Sequence, residues 1–129
     1  MTALVDTGAL LAILDRQDPC HARCVNAFES LELPLLTSTA VLTELFHRVG
    51  SSRRDVAAAW HFIRAGAVTV GAIGDEDLGS LDRPMDLADA TLVLLAERES
   101  LTTILTVDND DFETYRIGGR KRFRVVPGR

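Results

Sequence analysis

Acidic side chains recur at the points where short apolar runs of the sequence end. Asp6 directly follows residues 3–5, and Asp108 follows residues 103–106 with one residue, Val107, between. Carboxylates that converge repel each other, and some take up protons unless a cation neutralises them. All-oxygen ligation selects Mg²⁺ or Mn²⁺ over zinc. Because such an ion polarises a phosphate oxygen and acidifies water, the chemistry indicated is in-line hydrolysis of a phosphodiester.

A glutamate interrupts the apolar stretch 40–46. Glu44 is i+4 from Ala40 and i+3 from Val41, so on a helix it shares a face with apolar residues. A carboxylate that faces a core needs a partner, and a metal ion is one. The alternative is a helix tilt that leaves Glu44 in solvent.

Helix capping is the competing explanation for the aspartates. Asp6, Asp86 and Asp108 each precede a predicted helix, where Asp is a preferred N-cap. Asp89 lies three residues after Asp86, the spacing of a capping-box-like pair. The pattern alone leaves both roles open for each aspartate, although we favour the cap for Asp86.

The elements that must position these acids alternate between strand and helix. Apolar runs predict strands at residues 3–5, 35–37, 68–70, 103–106 and 123–126. Helices are predicted at 7–14, Asp18–Phe28, Ser38 or Thr39 to Val49, Ser51–Ser52 to Ala65, 75–82 and Asp86–Glu99, with a short one beginning at Asp108. The buried side of the long helix is predicted from Leu87, Ala90, Val93, Leu94 and Ala96–Glu97.

This alternation predicts an α/β fold, a three-layer α/β/α sandwich around a mostly parallel sheet of about five strands. In such sheets, ligands bind beyond the carboxyl ends of the strands. We therefore expect the acids from four separate segments to meet in one pocket.

Composition indicates one globular domain over residues 1–129. The chain has no internal repeat, and no apolar run approaches the roughly 18 residues needed to span a bilayer. The N-terminus has no basic region, so it is not typical of a signal peptide. We expect a cytoplasmic protein without a membrane partner.

Charge is distributed unevenly along the chain. The net charge is −5, but residues 116–129 carry six bases and no acid, which leaves eight bases against 19 acids, or −11, in residues 1–115. An acidic body argues against tight metal-free binding of nucleic acid. Candidates for holding an RNA backbone are Arg53, Arg54, Arg120 and Arg122, for which the alternative is an ordinary solvated face.

The cysteines and the tryptophan are further candidates for functional residues. Cys20, His21 and Cys24 have the spacing of half a zinc site, but no second Cys/His pair lies near in sequence. We favour two reduced thiols one helical turn apart. Trp60 is a candidate for stacking a base, and we favour a position in a dimer interface.

Four stretches together resemble the PIN-domain nucleases, specifically the VapC-like toxins of type II toxin–antitoxin pairs. The resemblance spans essentially the whole chain, and the stretches are residues 5–11, 37–45, 86–90 and 106–112. It implies a PIN-like fold and a Mg²⁺- or Mn²⁺-dependent endoribonuclease that leaves a 5′-phosphate and a 3′-hydroxyl. It also implies a homodimer that is held inactive by a small antitoxin protein.

The resemblance assigns roles to particular residues. Asp6, Glu44, Asp89 and Asp108 are the implied catalytic acids, and Asp6, Asp89 and Asp108 are the implied metal ligands. Asp111 stands just before Phe112 and is an alternative to Asp108 or an auxiliary group, whereas Asp110 is expected to face solvent. Thr7 and Thr106 are auxiliary candidates for binding the scissile phosphate.

Two other functions fit parts of the pattern. A receiver-type phosphoacceptor domain also places acids at strand ends, but it predicts paired early acids and a late Lys, and the one Lys, Lys121, lies within the basic segment. A PIN-like scaffold that binds RNA or a partner without cleavage predicts a missing acid, and none is missing. DNA remains an alternative substrate.

Overall fold

The fold was analysed in a computed structural model, which describes residues 2–79 and 85–129. The strands are β1 (Ala3–Val5), β2 (Leu35–Ser38), β3 (Val68–Gly71), β4 (Thr103–Thr106), β5 (Arg116–Ile117), β6 (Lys121–Arg122) and β7 (Arg124–Pro127). The helices are α1 (Thr7–Leu14), α2 (His21–Ser30), α3 (Thr39–Val49), α4 (Arg53–Arg64), α5 (Asp75–Gly79), α6 (Leu87–Glu99) and α7 (Asn109–Thr114).

The main sheet is parallel, with the strand order β3-β2-β1-β4-β7 in the described residues. Val5 of β1 is level with Leu105 of β4, so these two strands end side by side. The chain builds outward from β1 in one direction through β2 and β3, and in the other through β4 and β7. The topological switch point, where ligands bind in such sheets, therefore lies between the ends of β1 and β4.

Helices flank this sheet because its central strands are apolar on both faces. All residues of β1, β2 and β4 are buried. Helices α1 and α2 pack against β4, and α6 packs against β1 and β2. Two-sided burial is what a parallel sheet requires. The predicted α/β architecture with a parallel five-stranded sheet is confirmed.

Side-chain caps begin five of the helices and fix where they start. Ser38 caps α3 and Ser52 caps α4, as their positions predicted. Asp6, Asp86 and Asp108 cap α1, α6 and α7. An accepted backbone N–H satisfies one of the otherwise unpaired donors in each first turn. The favoured role of Asp86 as a cap is confirmed.

Several predicted boundaries were wrong by a few residues. The helix predicted from Asp18 begins at His21, because the Asp18 carboxylate accepts the Cys20 N–H at 2.8 Å and closes a turn. Helix α5 covers residues 75–79, and the rest of its predicted span lies outside the described residues. The last strand is shifted by one residue, to Arg124–Pro127, since Phe123 packs against Phe112 at 5.5 Å.

A hairpin of residues 116–122 was not predicted. Its strands β5 and β6 pair antiparallel, and the turn between them contains Gly118 and Gly119 at φ values of 59° and 76°. Both values lie in the left-handed region that glycine adopts without strain. The adjacent glycines were therefore the feature of the sequence that could have predicted this hairpin turn.

Helix α6 is buried around most of its circumference. Leu87 is 58% exposed and Glu97 is exposed, so the prediction that they mark the buried side was wrong. Besides the sheet, α6 contacts α3 and β5. Helices packed on several sides lose the one-sided pattern on which such predictions depend. No helix within residues 2–79 and 85–129 has the length and apolarity to cross a membrane.

Candidate active site

The switch point between β1 and β4 holds a cavity of about 170 Å³, here called the acid cavity. Asp6 reaches it directly from β1, because its backbone N–H donates to the Leu105 carbonyl at 3.2 Å and continues the sheet pairing. The cavity is lined by Asp6, Thr7, Gly8, Val41, Glu44, Arg48, Asp86, Ala88, Asp89, Val107 and Asp108. The predicted convergence of acids from separate segments is thus observed.

Asp6 is the deepest acid and is only 7% exposed. Its carboxylate accepts the Thr106 hydroxyl at 2.5 Å and the Ala9 N–H at 3.2 Å. Burial raises the pKa of Asp6 to about 7, against the lowering effect of these two hydrogen bonds; neighbouring Asp89 and Asp108 raise it further. The same residue is therefore both a helix cap and a buried wall of the cavity.

The two auxiliary threonines are buried and have protein partners. The Thr106 hydroxyl donates to Asp6 and accepts the Asp108 N–H at 2.9 Å, so it links the two strand-end acids. The Thr7 hydroxyl donates to the Val41 carbonyl at 3.3 Å and ties α1 to α3. These contacts orient the cavity walls and do not favour the predicted phosphate contact.

Asp89 projects from the first turn of α6. One of its carboxylate oxygens accepts the Tyr115 hydroxyl at 2.8 Å. Burial raises the pKa of Asp89 to about 6, the Tyr115 hydrogen bond opposes this, and the charges of Asp86 and Asp108 add to it. Burial and the Asp89 carboxylate also raise the pKa of Tyr115, so this hydroxyl remains a donor.

Asp89, Asp108 and Asp111 form the tightest cluster. Each offers a carboxylate oxygen, and these oxygens lie within 4.8 Å of one another. The Asp111 side chain is exposed, and its hydrogen bond with Asp108 is the largest cause that raises its pKa. Both candidates for the fourth acid, Asp108 and Asp111, therefore lie beside Asp89, and the geometry does not favour one over the other.

Glu44 lies at the rim of the acid cavity rather than in the core. Its side chain is 44% exposed, and Oε1 is 3.9 Å from Nη1 of Arg48 one turn later. Val41 and Leu45 form the buried side of α3. Of the two alternatives for Glu44, the position facing the core is therefore wrong, and the position in contact with solvent is the one observed, at the edge of the cavity.

The predicted RNA-binding arginines are not among the described residues that line the acid cavity. Arg120 and Arg122 belong to the hairpin, whose Gly118 approaches Glu97 near the far end of α6. At 1.5 Å per residue, the eight residues from Asp89 to Glu97 span roughly 12 Å. Arg53 and Arg54 are exposed at the start of α4. Their contact with RNA stays a prediction.

Outside the cavity, the two thiols and Asp110 follow the favoured expectations, and the role of Trp60 stays a prediction. Cys20 and Cys24 are free thiols, and the metal-capable groupings within the described ranges include neither Cys nor His. Trp60 is 44% exposed and lies against Phe46, with the Arg64 guanidinium 5.3 Å from its ring centroid. Asp110 is exposed and pairs with Arg129.

Two residues of the site were not predicted from the sequence. Tyr115 acts on Asp89 from 26 positions away, so local spacing gave no indication of it. Arg48 lines the acid cavity, and its i+4 spacing from Glu44 was a signal that could have found it. Tyr115 orients the Asp89 carboxylate, and Arg48 adds a positive charge to the cavity.

Comparison with known proteins places this geometry among nucleases. Residues 3–117 match the sequence profile of the PIN domain. Ribonuclease VapC26 of Mycobacterium tuberculosis (strain ATCC 25618 / H37Rv) is 33% identical over 134 residues, covering 96% of this chain and 99% of that protein. The crystal structure of Mycobacterium tuberculosis VapC20, described as a Sarcin-Ricin loop cleaving toxin, matches with a TM-score of 0.63 at 25% identity, over 80% of this chain and 87% of that one.

Proposed function

Because the chain belongs to the PIN domain family, we propose that it is a divalent-cation-dependent endoribonuclease and the toxin of a toxin–antitoxin pair. The observation that carries this proposal is the acid cavity at the switch point, where Asp6, Asp89 and Asp108 come together from three segments. The similarity of the chain to a ribonuclease, over 96% of the chain, supports RNA as the substrate class.

The donor set of the cavity suits a hard divalent cation. Its described lining contains several carboxylates and neither Cys nor His, and oxygen ligands favour Mg²⁺ or Mn²⁺. The raised pKa values of Asp6 and Asp89 mark carboxylates whose negative charge is insufficiently compensated by the protein. When bound, the cation supplies Lewis-acid polarisation of a phosphate oxygen and a more acidic water.

The residues of the cavity have separate roles in binding the cation and orienting its ligands. Asp6, Asp89 and Asp108 would hold the cation, and the Thr106 and Tyr115 hydroxyls fix the orientation of the first two. Glu44 is half-exposed at the rim, where its carboxylate would accept a hydrogen bond from a water molecule bound to the cation. Asp111 extends the cluster toward solvent as an auxiliary acid.

A cleavage assay on tRNA and rRNA fragments, including a sarcin–ricin loop fragment, tests the proposal. We expect cleavage with Mg²⁺ or Mn²⁺, none with a chelator, and products with a 5′-phosphate and a 3′-hydroxyl. Asp89→Asn should abolish the activity. Asp110→Asn is the matched control, because it removes an equal charge from a nearby exposed acid that is outside the cavity.

Each outcome of this assay has a defined meaning. Cleavage that persists in chelator would reject the cation-dependent mechanism. RNA binding without cleavage under every metal condition would favour the scaffold function instead. Cleavage of single-stranded DNA at the same rate as RNA would correct the substrate class.

We also propose an antitoxin protein and a second copy of the chain as partners. The description of VapC20 as a toxin supports the first. The exposed Trp60 beside Arg64 offers an aromatic anchor of the kind that interfaces use. Size-exclusion chromatography with light scattering, on the protein alone and co-expressed with the product of an adjacent gene, measures both associations.

A further inference from the structure

The acid cavity contains one positively charged side chain among its described lining residues. Asp6, Glu44, Asp86, Asp89 and Asp108 contribute acids, and Arg48 is the single base. With every acid ionised, the lining carries four net negative charges, and one divalent cation leaves two. A phosphodiester that approaches this cavity is repelled unless a further positive group faces it.

Arg48 is held loosely enough to change partners. Its side chain is 51% exposed, and its contact with Glu44 is 3.9 Å, beyond hydrogen-bond length. The guanidinium makes no hydrogen bond to the part of the chain that the structure describes. An exposed i,i+4 ion pair of this kind contributes little to stability, so its loss on ligand binding costs little.

We infer that Arg48 binds a phosphate of the RNA, at the scissile linkage or next to it, and leaves Glu44 to do so. A guanidinium presents paired N–H donors that match the two non-bridging oxygens of a phosphodiester. Helix α3 places Arg48 one turn after Glu44, at the rim of the cavity where substrate enters. This inference rests on the proposed function, because it takes RNA as the ligand.

Fluorescence anisotropy with a short labelled single-stranded RNA of mixed sequence tests this contact. Ca²⁺ replaces Mg²⁺, so that the site carries a divalent charge, and a gel of the same samples verifies that the RNA is intact. Arg48→Gln should weaken binding about 10-fold at low salt. It should also reduce the slope of log Kd against log salt by about 0.7, the value for one phosphate contact with a single strand.

Three further variants separate a phosphate contact from a structural role. Arg98→Gln removes an equal charge near the far end of α6 and should leave Kd and its salt slope unchanged. Arg48→Lys should keep the slope but lose part of the affinity, because Lys cannot bind bidentately. Glu44→Gln keeps the guanidinium without its partner, so it should bind RNA at least as tightly as the wild type.

The outcomes distinguish this inference from the proposed function. Equal affinity and salt slope for Arg48→Gln and the wild type would overturn the inference, as would a wild type that binds no RNA. So would weakened binding in Glu44→Gln that equals that of Arg48→Gln, because the ion pair would then be the functional unit. If the slope falls as expected but RNA is never cleaved in Mg²⁺, the phosphate contact stands and the nuclease proposal fails.

Discussion

Asp6 and Asp89, the inner acids, differ from Glu44 and Asp111, the outer acids, in how the protein holds them. Each inner acid is buried and accepts a hydroxyl hydrogen bond, from Thr106 or Tyr115 respectively. Glu44 has only a loose ion pair, and the Asp111 side chain is exposed. The fold therefore fixes two carboxylates in advance and leaves two adjustable.

This difference shows which carboxylates reduce the stability of the folded protein. Burying a carboxylate disfavours its charged form, so each inner acid costs stability when it ionises without a cation. The outer acids remain in contact with water, so holding them at the site costs the fold less. A bound cation neutralises the charge of the inner acids and offsets this loss of stability, so cation binding should stabilise the folded protein.

Asp6→Asn should give the largest effects, and in opposite directions. We expect RNA cleavage to fall on the order of 10³-fold, since several kcal/mol of transition-state stabilisation depend on the cation. The free energy of unfolding in chelator should rise at pH 8 by about 1–3 kcal/mol. Cleavage kinetics and urea unfolding measure the two quantities.

Asp6 contributes most to the pH dependence of stability in the metal-free protein, and Asp89, whose pKa is raised to about 6, adds a smaller part. The pKa of Asp6 is about 7 when folded, above its ordinary value of 3.8, so the folded state binds the proton more tightly. Its contribution to stability is complete below about pH 4 and is lost as the pH rises through 7. Asp6→Asn should remove most of that decline, and an unchanged decline would contradict the assignment of Asp6.

Glu44→Gln should have a smaller effect on cleavage and almost none on stability. We expect cleavage to fall about 10- to 100-fold, as for other groups that support a metal site without anchoring it. The free energy of unfolding should change by less than about 0.5 kcal/mol, because the Arg48 pair is exposed. Glu29→Gln, at an exposed position of α2, is the charge-matched control. A loss as large as that of Asp6→Asn would place Glu44 among the inner acids.

The strand-end acids were more predictable from sequence than the groups that support them. Asp6 directly follows β1, Asp108 follows β4 after one intervening residue, and the parallel pairing of β1 with β4 brings such positions together. Capping and cation binding competed as explanations only while each aspartate was considered alone. In the structure, one carboxylate oxygen of Asp6 accepts the first-turn N–H while the other accepts the Thr106 hydroxyl.

What escaped prediction depends on packing between distant segments. The side of α3 that Glu44 occupies is set by how that helix rotates against α1 and α6, which its own sequence does not encode. The Tyr115 contact requires α7 to end beside α6. Arg120 and Arg122 were selected by charge alone, but neither is among the described residues that line the acid cavity, and Arg120 instead lines a pocket with Glu97 near the far end of α6.

Tyr115→Phe should have the smallest effect and is the sharpest test of how the inner acids are fixed. The variant keeps the ring packed edge-on against Phe112, at a centroid distance of 5.2 Å, and removes only the hydroxyl that Asp89 accepts. We expect the affinity for Mn²⁺, measured by calorimetry without RNA, to fall about 10-fold.

The matched control for Tyr115→Phe is Thr114→Val, which removes the neighbouring hydroxyl that donates to the Asp110 carbonyl at 2.8 Å. It should leave Mn²⁺ affinity unchanged. In an Asp89→Asn background, Tyr115→Phe should have no further effect on Mn²⁺ binding, because the hydroxyl acts through that carboxylate. An equal loss in both backgrounds would mean that Tyr115 supports α7 as a whole, and the inner acids would then owe their orientation to burial alone.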